Sequence, residues 1–400
     1  MANKWEDNEE IKIFREYLRI ASVHPNPDYK PCVDFLKRQA DSLGMQFRVF
    51  YPVNENNPAV VLSLAGSEPS LPTILLNSHM DVVPVFPDKW TYPPFSAHVD
   101  AEGRIFARGT QDMKCVGTQY LAALRALKRT GKTLKRTIHV LFVPDEELGG
   151  YLGMREFVHT EDFRCLNVGF ALDEGLTSET EAFILFYGDK SPWQVTFKCS
   201  GTPGHGATPL EDTAGEKISY IIGKVMEMRS RECAKMKKNS SFFAGTETVI
   251  NLTKLEGGVQ ANVVPPLLSV TFDMRLAINL DHEAFFRQLQ DWCAEAGGGI
   301  EMVFARKDKK SPVTKLDDSN IFWVAFKAVA DEMQLKLQPI ICPATTDSPF
   351  LREVGIPALG FSPISNTPLL IHAHDEFIFA EGYLKGIEMY QKIIHKIANC

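Results

Sequence analysis

An apolar run that ends in three adjacent carboxylates is the feature that most constrains this chain. Residues 137–143 (TIHVLFV) have the composition of a buried strand, and Pro144 is followed by Asp145, Glu146, Glu147 and two glycines. Clustered negative charges repel one another, so they persist at a strand end only with nearby cations or with separated pKa values. A solvated acidic turn is one interpretation. The other is a metal site that leaves one carboxylate free as a general base.

Length, charge and cysteine content narrow the class of protein. A chain of 400 residues with 44% hydrophobic side chains is expected to form two domains. A net charge of −7 argues against nucleic acid or an anionic membrane as a partner. Residues 1–10 contain no apolar signal segment, and no later apolar run is long enough to span a bilayer. Eight cysteines without C-x-x-C spacing are predicted to be free thiols, so we expect a soluble cytoplasmic protein.

Apolar periodicity switches repeatedly between strand and helix in residues 1–188 and again in residues 309–400. Strands are predicted at 60–64, 73–78, 137–143, 168–172, 339–342 and 357–361, and helices at 10–20, 30–43, 112–131, 153–158, 319–329 and 383–397. Strands that alternate with helices indicate an α/β fold with a mainly parallel sheet flanked by helices. The two segments are therefore predicted to form one domain.

The intervening residues 189–308 have a different pattern, with polar linkers on both sides. Residues 193–199 alternate apolar and polar side chains, as in a strand with one solvated face. Helices are predicted around 218–225 and 286–293, and further strands at 249–255, 268–276 and 300–304. The order β-α-β-β-α-β is that of a ferredoxin-like unit, so this segment is predicted to be an inserted domain.

Histidines and carboxylates follow several of the predicted strands or precede helices. The segments are 79–81 (HMD), 109–114 (GTQDMK), 145–147 (DEE), 173–174 (DE) and 372–376 (HAHDE). Ligands of open α/β sheets bind beyond the carboxyl ends of the parallel strands, where these segments would meet. Zinc accepts imidazole and carboxylate ligands, and a shared carboxylate can bridge two ions about 3.5–4 Å apart. The sequence therefore predicts a two-metal site at this edge.

Taken together, the motifs resemble those of the dizinc peptidase family that includes the aminoacylases, carboxypeptidase G and succinyl-diaminopimelate desuccinylase. The resemblance covers essentially the whole chain and is strongest to the aminoacylases. It is carried by residues 75–85, 107–115, 142–150, 251–259 and 357–363. It implies two Zn²⁺ per subunit, a homodimer, and a catalytic domain (1–188 and 309–400) with a lid and dimerisation domain (189–308). The implied reaction cleaves N-acyl-L-amino acids to a carboxylate and a free L-amino acid.

Five metal ligands follow from the resemblance. One zinc would be held by His79, Asp112 and Glu174, and the second by Asp112, Glu147 and His372. Two choices are left open by the sequence. Asp173 stands next to Glu174 as an alternative ligand, and His374 lies close to His372 but is expected to be a surface residue.

The resemblance also assigns roles beyond the ligands. Glu146 would be the general base that takes a proton from metal-bound water. The Asp81 carboxylate would orient a ligand imidazole. His205 matches a lid histidine that stabilises the oxyanion, in dimeric relatives at the partner subunit's site.

The resemblance also suggests which residues recognise the substrate. Asn262 and Arg275 match lid residues that hold the substrate carboxylate, although Arg275 could instead form a salt bridge with Asp273 on the same strand face. Relatives commonly have an arginine where this chain has Pro349, and proline cannot clamp an acid group. A dipeptidase, or an amidase for other N-acylated amines, is therefore an alternative. A non-catalytic metal-binding scaffold is a further rival, opposed by the presence of Glu146 and of every implied ligand.

Overall fold

The computed structural model describes residue 5, residues 7–239 and residues 245–400. Residues 1–4 and 6, part of the N-terminal segment 1–10 that is predicted not to be an apolar signal, lie outside the described residues. The chain divides into two compact units: Met1–Tyr187 with Val313–Pro339 and Thr346–Cys400, and Gly188–Pro312 with Ile340–Thr345. Residues 340–345 of the second unit lie outside the insertion that the sequence predicts.

Strands and helices alternate along most of the described chain. The strands are β1 (Gln46–Phe50), β2 (Ala59–Leu64), β3 (Thr73–His79), β4 (His98–Val99), β5 (Arg104–Phe106), β6 (Ile138–Val143), β7 (Val168–Asp173), β8 (Ala182–Asp189), β9 (Ser191–Ser200), β10 (Gly204–His205), β11 (Val249–Gly257), β12 (Val263–Val264), β13 (Leu267–Leu276), β14 (Ile300–Lys307), β15 (Lys336–Cys342), β16 (Ala358–Phe361) and β17 (Phe377–Phe379). The helices are α1 (Glu9–Leu18), α2 (Lys30–Leu43), α3 (Lys114–Arg129), α4 (Met154–Phe157), α5 (Glu161–Arg164), α6 (Ala214–Asn239), α7 (His282–Glu295), α8 (Ile321–Glu332), α9 (Ser348–Glu353) and α10 (Ala380–Ala398).

An eight-stranded mixed sheet, ordered β1-β2-β6-β3-β7-β16-β8-β15, is the largest sheet. The central strands β6, β3, β7 and β16 run parallel, which confirms the predicted α/β fold. Antiparallel pairing of β1 with β2, β2 with β6, and β16 with β8 departs from the prediction. The chain between β1 and β2 is too short for the crossover that a parallel pair requires.

Both faces of the central strands are covered. Ile74 and Phe142 pack into a core with helices α1, α2, α3, α8 and α10. Leu75 and Leu141 point to the opposite face and pack with side chains of α4, α5 and α9. This burial explains why β3 and β6 are continuously apolar, since neither strand has a solvated face.

The second unit is built on a four-stranded antiparallel sheet ordered β11-β13-β9-β14. Trp193, Phe197 and Phe272 lie in its buried core, which includes side chains of α6 and α7. The major elements follow the predicted β-α-β-β-α-β order. A short two-stranded sheet of β10 and β12, which the sequence did not predict, adds to it.

The smaller departures have local causes. Strands β4, β5 and β17 form a three-stranded sheet from segments too short to carry a periodic pattern. Helix α8 begins at Ile321, two residues after the predicted start at 319, and the side-chain oxygen of its cap, Asn320, accepts hydrogen bonds from the amides of Phe322 and Trp323. None of the described helices combines the length and apolarity that a bilayer crossing requires.

Candidate metal centre

Strand register brings the first polar residues to one edge of the large sheet. His79 is the last residue of β3 and lies opposite Val143, the last residue of β6. A short 3₁₀ turn, Glu146–Leu148, follows β6. Glu174 comes directly after β7, which runs parallel to β3. The carboxyl ends of three neighbouring strands therefore place imidazole and carboxylate groups together, as the sequence predicts.

Two groups of three side chains could each hold a metal ion. The first group is His79, Asp112 and Glu174, and the second is Asp112, Glu147 and His372. Within each group the candidate ligand atoms lie within 4.8 Å of one another. All five residues implied by the resemblance are thus brought together, although their roles as ligands stay predictions.

Asp112 joins the two groups because its two carboxylate oxygens face different histidines. Its Oδ1 lies 3.0 Å from His79 Nε2, and its Oδ2 lies 3.3 Å from His372 Nε2. His372 Nε2 is also 3.0 Å from an oxygen of Glu147, and His79 Nε2 is 3.8 Å from an oxygen of Glu174. A carboxylate in this arrangement can bridge two cations.

Asp173 belongs to a different network from Glu174. Its carboxylate accepts hydrogen bonds from Asn77 Nδ2 at 2.9 Å and from the Ser348 hydroxyl at 2.7 Å. Asn77 Nδ2 donates also to Asp347. All four side chains are buried. Asp173 is therefore committed to hydrogen bonds within the fold, and the geometry favours Glu174 as the ligand.

Asp81 acts on the site through both its backbone and its side chain. Its backbone oxygen accepts a hydrogen bond from His79 Nδ1 at 2.9 Å, which directs Nε2 at Asp112. The Asp81 carboxylate instead accepts hydrogen bonds from the amides of Glu146 and Glu147, at 3.3 and 3.1 Å. The imidazole is thus oriented by the backbone oxygen of Asp81 rather than by its carboxylate, which differs from the prediction, and the carboxylate holds the turn that carries the proposed base.

His24 is a member of this network that sequence reasoning missed. It is buried, and its Nε2 donates to the Asp81 carboxylate at 2.8 Å. Burial acts to raise the pKa of Asp81, but the hydrogen bond from His24 and the imidazole of His79, whose Nδ1 lies 3.6 Å from the carboxylate, hold that pKa below its usual value. Asp81 stays ionised as a result. A lone histidine 57 positions from its partner carries no sequence signal for this role.

The carboxylates outnumber the cationic groups that face them. Burial and the charge of Glu174 raise the pKa of Glu146 well above its usual value. Burial and the charge of Asp112 raise the pKa of Glu147 to about 7, and they raise the pKa of Glu174 well above its usual value. Hydrogen bonds to Asp112 and Glu147 raise the pKa of His372 to about 10. Divalent cations would offset this crowding, and imidazole nitrogen with carboxylate oxygen is a donor set that suits zinc.

The remaining predicted residues are members of neither group. His374 is exposed, and its ring contacts Phe86 edge-on. In the second unit, exposed His205 and Asn262 lie together, because His205 pairs with Val263 and the Gly206 amide donates to the Asn262 backbone oxygen at 2.8 Å.

Arg275 forms the ion pair that the sequence left open as an alternative. Its Nε donates to Asp273 Oδ1 at 2.8 Å, and its Nη2 donates to Oδ2 at 3.3 Å. The Arg275 side chain is only partly buried. Its predicted contact with a substrate carboxylate, like the roles of His205 and Asn262, stays a prediction.

Comparison with known proteins identifies the family. The model of peptidase family M20/M25/M40 matches residues 75–396. The chain belongs to this family. It is 46% identical to aminoacylase-1 of Homo sapiens over 394 residues, which cover 98% of this chain and 96% of that protein. It is 42% identical to aminoacylase-1 of Dictyostelium discoideum over 409 residues, covering 99% of each. The predicted resemblance to the aminoacylases is confirmed.

Solved structures of family members share the fold. An M20 family metallo-carboxypeptidase from Sulfolobus solfataricus superposes with a TM-score of 0.75 at 19% identity, covering 98% of this chain and 99% of that one. A dinuclear metal-binding M20 peptidase from Bacillus subtilis superposes with a TM-score of 0.69 at 15% identity, covering 96% and 97%. At these identities the likeness establishes the architecture alone.

Proposed function

We propose that this protein is a metal-dependent amidohydrolase that cleaves N-acyl-L-amino acids to a carboxylate and a free L-amino acid. The observation that carries the proposal is the pair of ligand groups joined by Asp112, with Glu146 beside them and in neither group. The full-length likeness to the aminoacylases supports the substrate class. The alternative of a non-catalytic metal-binding scaffold is disfavoured, because such a protein does not require Glu146.

Two Zn²⁺ ions per chain are the proposed cofactors. His79, Asp112 and Glu174 would hold one, and Asp112, Glu147 and His372 the other. Bound zinc lowers the pKa of water and polarises a carbonyl oxygen. The ligand set does not by itself distinguish zinc from cobalt or manganese, so metal analysis of the purified protein decides the identity.

Glu146 is the proposed general base. Its carboxylate would accept a proton from the attacking water and later deliver that proton to the leaving amine. Its Oε2 lies 4.0 Å from His79 Nε2, which places it beside the first ligand group. The Asp81 carboxylate holds the Glu146 amide, and the buried His24 holds Asp81. This chain of hydrogen bonds keeps the base oriented.

We assign the lid and dimerisation role to residues 189–308 and the catalytic role to residues 1–188 and 309–400. His205 would stabilise the oxyanion, and Asn262 with Arg275 would hold the substrate carboxylate. Solvent exposure of His205 and Asn262 is compatible with binding a ligand. The proposed assembly is a homodimer, and sedimentation of the active protein tests it.

A cytoplasmic location is proposed on the state of the cysteines. All eight are free, and five of them are buried. Free thiols are typical of proteins in reducing compartments. Localisation of the tagged full chain by microscopy tests this assignment.

The proposed activity is tested by release of free amine from N-acetyl-L-amino acids and from their carboxamide counterparts, with and without a chelator. Chelator-sensitive cleavage limited to the free acids is the expected result. Cleavage of the carboxamides would favour an amidase for other N-acylated amines. That alternative rests on Pro349, which lies in the first turn of α9 and offers no cationic group to an acid. Cleavage of neither set would refute the proposal.

A further inference from the structure

We infer that Arg108 and Glu376 form a reciprocal clasp that positions Asp112 and His372 for the second metal ion. The inference rests on the proposed function, because it takes these two residues as metal ligands. Arg108 and Glu376 would themselves bind neither metal nor substrate, so they are positioning residues.

The Glu376 side of the clasp holds the loop that carries Asp112. Glu376 is fully buried, and its carboxylate lies at the centre of five hydrogen bonds from that loop. The donors are Arg108 Nη1 (2.7 Å), the Gly109 amide (3.2 Å), the Thr110 hydroxyl (3.3 Å), the Gln111 amide (2.7 Å) and the Asp112 amide (3.4 Å). A single carboxylate thus fixes the backbone immediately before Asp112 and the amide of Asp112 itself.

The Arg108 side holds the loop that carries His372. Its Nη1 donates to the Ala373 backbone oxygen at 3.0 Å, and its Nη2 donates to the His372 backbone oxygen at 3.4 Å. The Arg108 side chain is 2% exposed, and its guanidinium lies 5.3 Å from the centre of the Trp90 ring. Each loop therefore supplies the charged group that orders the other, across 268 residues of sequence.

The second ligand group depends on this clasp more than the first does. His79 and Glu174 stand at strand ends, where sheet hydrogen bonds fix the backbone. His372 lies on a loop, its side chain is 52% exposed, and its φ is 60°. Productive metal geometry tolerates displacements of only about 0.5 Å, so a loop ligand needs support from neighbouring groups. Arg108 and Glu376 supply that support.

The variant Glu376→Gln tests the inference because it keeps the size of the side chain and removes the charge that five donors share. Zinc titration of the chelator-stripped full chain should show only a small loss of affinity for the first zinc, through the shared Asp112, because His79 and Glu174 stay fixed at their strand ends. The second zinc should bind about 10- to 100-fold more weakly, as is typical when groups that hold metal ligands are altered. Excess zinc should restore hydrolysis, a rescue that a purely structural defect would not allow.

A matched control is the partly buried ion pair between Arg125 and Glu10, whose atoms lie 2.6 Å apart on α3 and α1. Glu10→Gln removes the same charge and should leave both zinc affinities unchanged. Arg108→Lys provides a second variant should Glu376→Gln fold poorly. Lysine keeps the positive charge beside Glu376 but lacks the guanidinium fork that reaches two backbone oxygens as well. It should also weaken the second zinc more than the first.

The outcomes separate the clasp from the proposed function. A wild type that binds two zinc ions, with variants that bind both equally well and only unfold at lower temperature, would overturn the clasp and leave the proposed function standing. Equal weakening of both zinc ions would also overturn it. A wild type that binds no zinc would overturn the proposed function, and the clasp with it.

Discussion

The two ligand groups share Asp112 but are built in different ways. The first group uses His79 and Glu174, which stand at the ends of the parallel strands β3 and β7. The second uses Glu147 in a 3₁₀ turn and His372 in a loop. His79 is fully buried, whereas His372 is half-exposed.

The difference shows that a fold can position metal ligands either at strand ends or on turns and loops held by buried charged side chains. Strand ends are fixed by backbone hydrogen bonds that the sheet makes in any case, so a ligand there needs little further support. Turns and loops lack such a ladder, and buried charged side chains take its place. Asp81 accepts from the Glu147 amide, and Glu376 accepts from the loop of Asp112. The second group is therefore expected to be the more easily disturbed.

The largest expected effect is on turnover, and it distinguishes the proposed base Glu146 from the proposed ligand Glu147. Glu146→Gln should lower turnover by about 10²- to 10⁴-fold, the usual contribution of a general base, and leave two zinc ions bound. Glu147→Gln changes the adjacent residue in the same way but should cost the second zinc. Turnover and metal analysis on the same preparations check both. An active Glu146→Gln variant would remove the proposed base.

Next in size is the contrast between the two histidines in the metal-free protein. His79→Ala leaves the buried Asp81 backbone oxygen without its donor, so the free energy of unfolding should fall by about 1–3 kcal/mol. His372→Ala removes a half-exposed ion pair and should cost about 1 kcal/mol or less. Urea denaturation in the presence of chelator measures both. Equal losses would break the proposed distinction between a sheet-built and a loop-built group.

A smaller effect distinguishes neighbours within the first group. Asp173→Asn replaces a charged acceptor of hydrogen bonds from Asn77 and Ser348, and should cost about 1–2 kcal/mol of stability while both zinc ions remain. Glu174→Gln should instead weaken the first zinc. Metal counts and urea denaturation of the pair discriminate the roles. Loss of zinc from Asp173→Asn would instead identify Asp173 as the metal ligand and Glu174 as the structural residue.

The smallest effect concerns pH. Burial lowers the pKa of His139, in β6, to about 4. The unfolded chain, with a pKa near 6.5, binds this proton first, so stability is lost as the pH falls below about 6.5 and the loss levels off near pH 4. Between pH 7.5 and 5.5, metal-free wild type should lose about 1 kcal/mol more than His139→Gln.

This pH comparison also sharpens the contrast between the two groups, because it separates acid sensitivity of the sheet from acid release of the metals. Denaturation in chelator isolates the first, and zinc retention at the same pH values measures the second. If stability falls equally with pH in wild type and in His139→Gln, His139 does not contribute to the acid sensitivity of the sheet.

The sheet-built part of the molecule is the part that sequence patterns predict well. The apolar runs before His79, Glu146 and Glu174 marked β3, β6 and β7, and strand direction then placed those residues at one edge. The antiparallel strands β1 and β8 were not predicted. Their sequences give weaker signals because they are less completely buried.

The supports of the loop-built part could not be predicted. Glu376 and Arg108 are 268 residues apart, and nothing local marks either as the partner of the other. The pairing of His24 with Asp81 likewise has no local sequence signal. Nor does the sequence show that His79 donates to the backbone oxygen of Asp81 rather than to its carboxylate. The pairing of Arg275 with Asp273 could be named as an alternative because both lie on one face of β13, two residues apart.

Stepwise return of zinc to the chelator-stripped wild type, with hydrolysis of an N-acetyl-L-amino acid followed at each step, tests the central claim most directly. Two groups joined by Asp112 predict two bound equivalents per chain and maximal hydrolysis only when the second is bound. Full activity of the stripped protein, or saturation of zinc binding at one equivalent, would contradict a two-metal centre built on these residues.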